Sequence, residues 1–307
     1  MNKQKYALGL VFCIIAVLSW GGMFPVMKPA LKIVDPFYFT LFRYGAVAII
    51  FAILLLIFEG KKSFSTENNL LKIWILGSFA FAGFSFLVFL GQKLAAESGA
   101  MIASVMMAIQ PLLALLLNWF RKGIKPNKVS FFSMIIAAIG VVLVMTKGKP
   151  SSLFQGGSDM LLATILILLG ALCWVIYTSG SSGFPNWSIL RYSTLTTIYG
   201  MLTVIVILFI ATIFGWLQIP SVENISSISG ALTYMITLAG VIAVFSWNMG
   251  SRLIKPLNAI LFMNLVPITA FSISVWNGYK INSFEMMGCF LTILALVINN
   301  LYIRKNR

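Results

Sequence analysis

Two arginines stand inside apolar runs, Arg43 and Arg191, each followed by a tyrosine, Tyr44 and Tyr192, and the two pairs lie 148 positions apart. A guanidinium in hydrocarbon either snorkels to the headgroups or pairs with carbonyls or an anion. At about 1.5 Å per helical residue, Arg43 stands roughly 9 Å inside the start of its run and Arg191 roughly 5 Å inside its own. Both readings stay open at that depth, and the pair are gating or anchoring candidates.

Aromatic and amide side chains form a second group. Trp20, with Gly21, Gly22, Phe24 and Pro25, has a counterpart in Trp174 with Tyr177 and Thr178. Pro25 frees the carbonyl of Gly21 and is expected to break the helix beside this aromatic wall. Phe84 and Ser85 fall in one later run, Ser246 and Trp247 in another, and Gln110 and Asn264 lie close before Pro111 and Pro267. Amides in hydrocarbon need partners, so Gln110 and Asn264 are expected to face inward. The candidate substrate-binding set is therefore Trp20, Phe24, Phe84, Ser85, Gln110, Trp174, Tyr177, Ser246, Trp247 and Asn264. The alternative is ordinary packing of tryptophan against small residues, with the amides meeting only each other.

Covalent chemistry has little to work with. Histidine is absent, and Cys13, Cys173 and Cys289 have no C-x-x-C spacing, so neither a metal centre nor a disulfide framework is expected. The acids are Asp35, Glu59, Glu67, Glu97, Asp159, Glu223 and Glu285, all in loops or at the ends of apolar runs. That pattern offers no catalytic residue, calls for no cofactor and disfavours coupling through a buried carboxylate. A membrane enzyme or a sensor with a soluble output domain is the weaker class of reading.

The elements that position these residues follow from composition. A chain of 307 residues that is 60% hydrophobic and 9% charged, with mean hydropathy +0.98, belongs in a bilayer. About 20 apolar residues cross the hydrocarbon. Ten spans are expected, at 7–27, 37–58, 70–91, 98–119, 129–146, 158–180, 188–214, 228–249, 257–276 and 284–303. Residues 1–18 could pass for a signal peptide but are read as a retained helix.

The net charge of +15 is a topology signal and not a sign of nucleic-acid binding. With the first residue cytoplasmic, 14 of the 22 basic residues, including Arg121, Lys125, Arg252 and Arg307, fall on inner segments. Six fall outside, Lys28 and Lys280 among them, so both termini are expected in the cytoplasm.

The spans repeat. Leu18 and Trp20 recur as Leu172 and Trp174, Arg43-Tyr44 as Arg191-Tyr192, Ala82-Gly83 as Ala239-Gly240, Gly91 as Gly250 and Pro111 as Pro267, always in order. Five spans per copy is odd, so the second copy, 151–307, enters the membrane inverted relative to the first, 1–150. Inverted repeats let a chain open to one side and then the other.

Trp20-Gly21, Lys28, Asp35-Pro36 and Arg43, together with Trp174, Tyr177 and Asn264-Leu265-Val266-Pro267, resemble the EamA-type transporters of the drug/metabolite transporter superfamily. The resemblance implies an all-α integral membrane fold of ten transmembrane helices in two inverted five-helix repeats, with a pathway lined mainly by helices 1, 3, 4, 6, 8 and 9. It implies a peripheral scaffold in helices 5 and 10, through which a homodimer could form. Gln110 stands where relatives often carry an acid, which implies a less acidic cavity. The function expected is export of a small metabolite such as an amino acid across the cell inner membrane. A flippase for lipid or lipid-linked sugar, or a nucleotide-sugar-type carrier, is the alternative.

Overall fold

A computed structural model of the chain describes residues 3–123, 125, 127–149 and 157–305. The expected division between residues 150 and 151, and Arg307, lie outside the described residues.

The described residues are helical throughout, with no strand among them. The elements are α1 (Lys3–Ala30), α2 (Pro36–Glu59), α3 (Leu70–Leu94), α4 (Gly99–Ala108), α5 (Gln110–Lys122), α6 (Lys128–Thr146), α7 (Gly157–Gly180), α8 (Ile189–Ile213), α9 (Val222–Ser227), α10 (Ser229–Ile254), α11 (Pro256–Ala259), α12 (Leu265–Trp276) and α13 (Ser283–Lys305). Helix starts carry the expected chemistry. Asp35 accepts from the Phe37 amide with Pro36 in the first turn, Asn127 accepts from Ser130 N, and Ser188 accepts from Arg191 N.

Among the described residues six helices are long and apolar enough to cross a bilayer: 4–30, 36–59, 70–94, 159–183, 189–213 and 229–254. They bury one face and present apolar side chains outward. On α8, Leu202, Ile205, Val206, Phe209 and Ile213 are all exposed. An apolar exposed face of that length has only lipid as a natural neighbour.

The other expected spans depart from straight helices. The run at 98–119 is two pieces, α4 and α5, bent by 51° at Ile109. Pro111 explains the break, since its ring has no N–H to give and crowds the carbonyl four residues back. The run at 257–276 is α11, a 3₁₀ turn over Ile260–Asn264, and α12, with Pro256 and Pro267 at its joints. The shorter apolar helices are 128–144, 262–276 and 283–299. Conversely α1 continues through Pro25 and Pro29, so the break expected at Pro25 is not observed.

Packing follows the repeat. The first helix of each copy lies on the third helix of the other, α1 on α10 and α7 on α3. They approach closely at matched glycines, Gly250 against Cys13 and Gly91 against Ala163. The second helices α2 and α8 pack together, and so do α6 and α13. Both α3 and α10 widen into a π turn, at Ser78–Gly83 and Thr237–Ile242, positions 159 residues apart.

At the α6–α13 crossing the backbones touch. A Cβ on Gly140 would come 2.5 Å from the Gly288 carbonyl oxygen, and one on Gly288 would strike Gly140 O. Ser130 Oγ donates to Asn299 Oδ1 at 2.6 Å across the same seam. Gly140→Val is therefore expected to destabilise the detergent-solubilised protein by about 2 kcal/mol through overpacking. Gly45→Ala, with nothing within 4 Å of the new Cβ, is expected to be neutral or stabilising. Thermal melting of the two variants checks both.

Candidate functional site

A small internal cavity lies at the centre of the bundle, lined by Trp20, Met23, Phe24, Arg43, Tyr44, Phe84, Met107, Gln110, Trp174, Met263 and Val266. Its free volume is about 10 Å³, room for about one water, so this conformation leaves no space there for a solute. Part of the lining comes from corresponding positions in the two copies. Trp20 faces Trp174 edge-on at 5.1 Å between ring centroids. Met107 and Gln110 are matched by Met263 and Val266 at the same 156-residue offset that relates Pro111 to Pro267.

Five of the expected binding residues thus line the cavity: Trp20, Phe24, Phe84, Gln110 and Trp174. Tyr177 and Trp247 back it. The Tyr177 ring lies 5.1 Å from Trp174, and the Trp247 ring 5.3 Å from Trp20. Asn248 fixes Tyr177 by donating to its hydroxyl at 2.9 Å and to Ser193 Oγ at 2.8 Å, while Trp247 Nε1 donates to Thr178 Oγ1. Ser85, Ser246 and Asn264 are buried but stand outside the lining. Met23, Tyr44, Met107, Met263 and Val266 were not among the expected binding residues. Trp20, Met23 and Phe24 share a helix face by i, i+3, i+4 spacing, and the Pro111–Pro267 offset would have found the methionine pair.

The two arginines are not equivalent. Arg43 is 0% exposed and does not snorkel. Its Nε donates to Met235 O at 3.2 Å and its Nη2 to Ala239 O at 3.1 Å, while Nη1 meets only the Met23 sulfur at 3.4 Å. Ala239 lies in the π turn of α10, where the Ala243 amide reaches Leu238 and Gly240 and passes over Ala239 O. Trp20 Nε1 also donates to that oxygen, at 3.0 Å. Trp174, its counterpart, is 3% exposed and its Nε1 has no partner. The tyrosine ring of Tyr44 lies 4.3 Å from the Arg43 guanidinium.

Arg191 instead turns to one end of the bundle. It pairs with Glu67 at 2.8 Å, donates to Ser65 O at 2.6 Å and covers the Trp187 ring. Trp187 Nε1 donates to Glu67 Oε2, Ser188 Oγ donates to Glu59, and Arg252 donates to the carbonyls of Trp187 and Phe184. This end is latched. The hydrogen bonds from Trp187 and Arg191 hold the Glu67 carboxyl below its ordinary range. A depressed carboxyl keeps its charge, and the latch, at and above that range and loses both only as pH falls through the lowered value.

The opposite end is open. A vestibule of about 490 Å³ is lined by residues that include Pro25, Lys28, Met101, Asn277, Tyr279 and Lys280. Glu285 beneath it is buried, accepting from Tyr279 Oη at 2.6 Å and Asn282 N at 2.9 Å, with Lys147 at 3.9 Å. Among the described residues no group of three or more histidine, cysteine or acidic side chains gathers as a metal site would require.

The arrangement is a closed aromatic chamber between two halves, latched at one end and open at the other, and it has counterparts among known proteins. Residues 7–146 and again 161–301 match the model of the EamA-like transporter family. The chain is 43% identical to the uncharacterized transporter YrdR of Bacillus subtilis (strain 168) over 305 residues, 99% of this chain and 95% of that one. It is 28% identical to the uncharacterized transporter YyaM of the same organism, over 90% of this chain and 88% of the relative. A solved crystal structure shares the fold with a TM-score of 0.66 at 17% identity, over 98% of this chain and 99% of that one. The chain belongs to the EamA-like transporter family: it is a membrane protein of a transporter class, not of an enzyme class.

Proposed function

We propose that the chain is a permease of the cell inner membrane that exports a small metabolite, such as an amino acid, through the central cavity by alternating access. In this reading ten segments span the bilayer as two inverted halves, 1–150 and 151–307, with both termini in the cytoplasm. The latched end with Glu67 is then cytoplasmic and the open vestibule with Lys28 is external. The observation that carries the reading is the cavity lining. Corresponding positions, Trp20 with Trp174 and Met107 with Met263, face one chamber from opposite halves while their hydrogen bonding differs. Halves that are alike in sequence but unlike in conformation are what an exchange of conformations requires.

In the other state Trp174 would bond a carbonyl of its own facing helix and Trp20 would release Ala239. Arg43 holds the closed half by its two carbonyl bonds, and Glu67 with Arg191 holds the latched end. A lipid or lipid-linked sugar flippase remains a second reading, favoured by an apolar groove of about 580 Å³ between α3, α7 and α8, lined by residues that include Phe79, Phe86 and Ile207.

The experiment is solute flux in proteoliposomes. A panel of labelled amino acids, nucleosides and sugars should contain at least one solute carried by wild type, and no flux of any of them would count against the proposal. Arg43→Ala is expected to lower flux by at least about tenfold, the scale of losing charged hydrogen bonds in a buried site. Arg191→Ala and Glu67→Gln are expected to change flux by similar, smaller factors, and the double variant by no more than either alone. Additive effects would show that the latch is not a unit.

The two tryptophans should separate stability from transport. Trp20→Phe removes a bonded indole N–H and is expected to cost about 1 kcal/mol of stability. Trp174→Phe removes one with no partner, so it should cost less stability than Trp20→Phe while flux falls. Equal losses of stability in both would contradict the asymmetry.

A further inference from the structure

The cavity gathers hydrogen-bond donors and holds no acid. Arg43 is fully buried, and one of its amino groups meets only a thioether, a weak acceptor. Among the described residues its charge has no carboxylate partner. Ion pairs among the described residues lie elsewhere, for example at Lys93–Asp35, Lys147–Glu285 and Arg191–Glu67. On the same cavity wall Trp174 Nε1 has no acceptor, and Gln110, 0% exposed, gives its Nε2 only to the Met107 sulfur at 3.2 Å and leaves Oε1 without a donor. The donors here that lack a strong acceptor are Arg43 Nη1, Trp174 Nε1 and Gln110 Nε2, and an acceptor on a ligand would remove that cost of burial.

The rest of the lining selects the ligand's body. Trp20, Phe24, Phe84 and Trp174 give flat apolar faces, and Met23, Met107 and Met263 are flexible enough to yield volume as the closed chamber expands. An ammonium group would be attracted by the ring faces, but it would share a low-dielectric space with the Arg43 charge and find no carboxylate.

The approach carries the same sign. Lys28 lies one helical turn along α1 from Phe24, about 6 Å at 1.5 Å per residue. It lines the vestibule with Lys280, and Lys147 stands 5.6 Å from the Tyr279 ring at the rim. Glu285, the acid nearby, is buried and held by Tyr279, Asn282 and Lys147. A cationic mouth over a guanidinium concentrates anions.

We propose that the cavity binds a flat apolar organic anion, its single carboxylate accepting from Arg43, Trp174 Nε1 and Gln110 Nε2, and that it rejects the same body carrying an ammonium. This rests on the transporter reading for its use, and it narrows the metabolite from a zwitterion to an acid without an amine.

The test uses three probes with one body and three charges: 3-phenylpropanoate, phenylalanine and 2-phenylethylamine. Tryptophan fluorescence of the purified full chain is titrated with each. The anion is expected to saturate, with the other two at least about tenfold weaker, a difference of ~1.4 kcal/mol. Trp174→Phe and Gln110→Leu should each weaken the anion by about tenfold in protein that still melts cooperatively. Arg43→Lys should keep part of the binding that Arg43→Gln loses. Phenylalanine or 2-phenylethylamine binding as tightly as the anion would overturn the proposal, as would anion binding unaltered in both Trp174→Phe and Gln110→Leu. Saturable, charge-selective binding without flux in proteoliposomes would uphold the ligand class and count against the transporter reading. Flux of other solutes with no anion binding would do the reverse.

Discussion

A helical carbonyl turned out of its ladder inside hydrocarbon must find a donor, and Ala239 O finds two, the indole of Trp20 and the guanidinium of Arg43. The π turn at Thr237–Ile242 creates the need, and Met235 O takes a further bond from the same arginine. Three helices, α1, α2 and α10, are thereby joined at one point. The bonds also explain how a full charge stays buried, since the carbonyl dipoles and the Tyr44 ring face supply part of what water would. They fix the guanidinium on the cavity wall, with Nη1 left to the Met23 sulfur.

Around that point the two halves use the same parts differently. The matching π turn at Ser78–Gly83 has no such clasp, because Arg191 is drawn to Glu67 and Trp174 Nε1 is left unbonded. The latch and the open vestibule are therefore at opposite ends of a bundle whose halves are alike in sequence. Backbone-close crossings, Gly91 on α7 and Gly250 on α1, make two tight helix pairs, each drawn from both copies. Two such pairs can tilt against each other without repacking their own seams.

Much of this was legible in the sequence because membrane helices and repeats are written in long apolar runs and fixed offsets. The six long spans and the Trp20–Trp174 pair follow from those two patterns alone. Pro111 and Pro267 marked where two further runs break, although their length suggested straight spans. Pro25 misled, because a proline within a helix packed on both α10 and α12 need not interrupt it. The burial of Arg43 was not readable, since its acceptors lie about 190 residues away in a π turn that no local pattern announces. Arg191 likewise depended on where the loop carrying Ser65 and Glu67 folds back. Met107 and Met263 were hidden by the abundance of methionine, although the proline offset pointed to them.

The central claim is that the two ends of the bundle exchange open and closed states around one chamber. Pulsed electron-spin distance measurements test it directly, with spin labels at Lys62 and Ser182 near the latched end and, in a second sample, at Ala96 and Asn277 near the vestibule. The account predicts reciprocal shifts under conditions that support flux, the first distance lengthening as the second shortens. Distances that stay fixed, or that lengthen together, would contradict it.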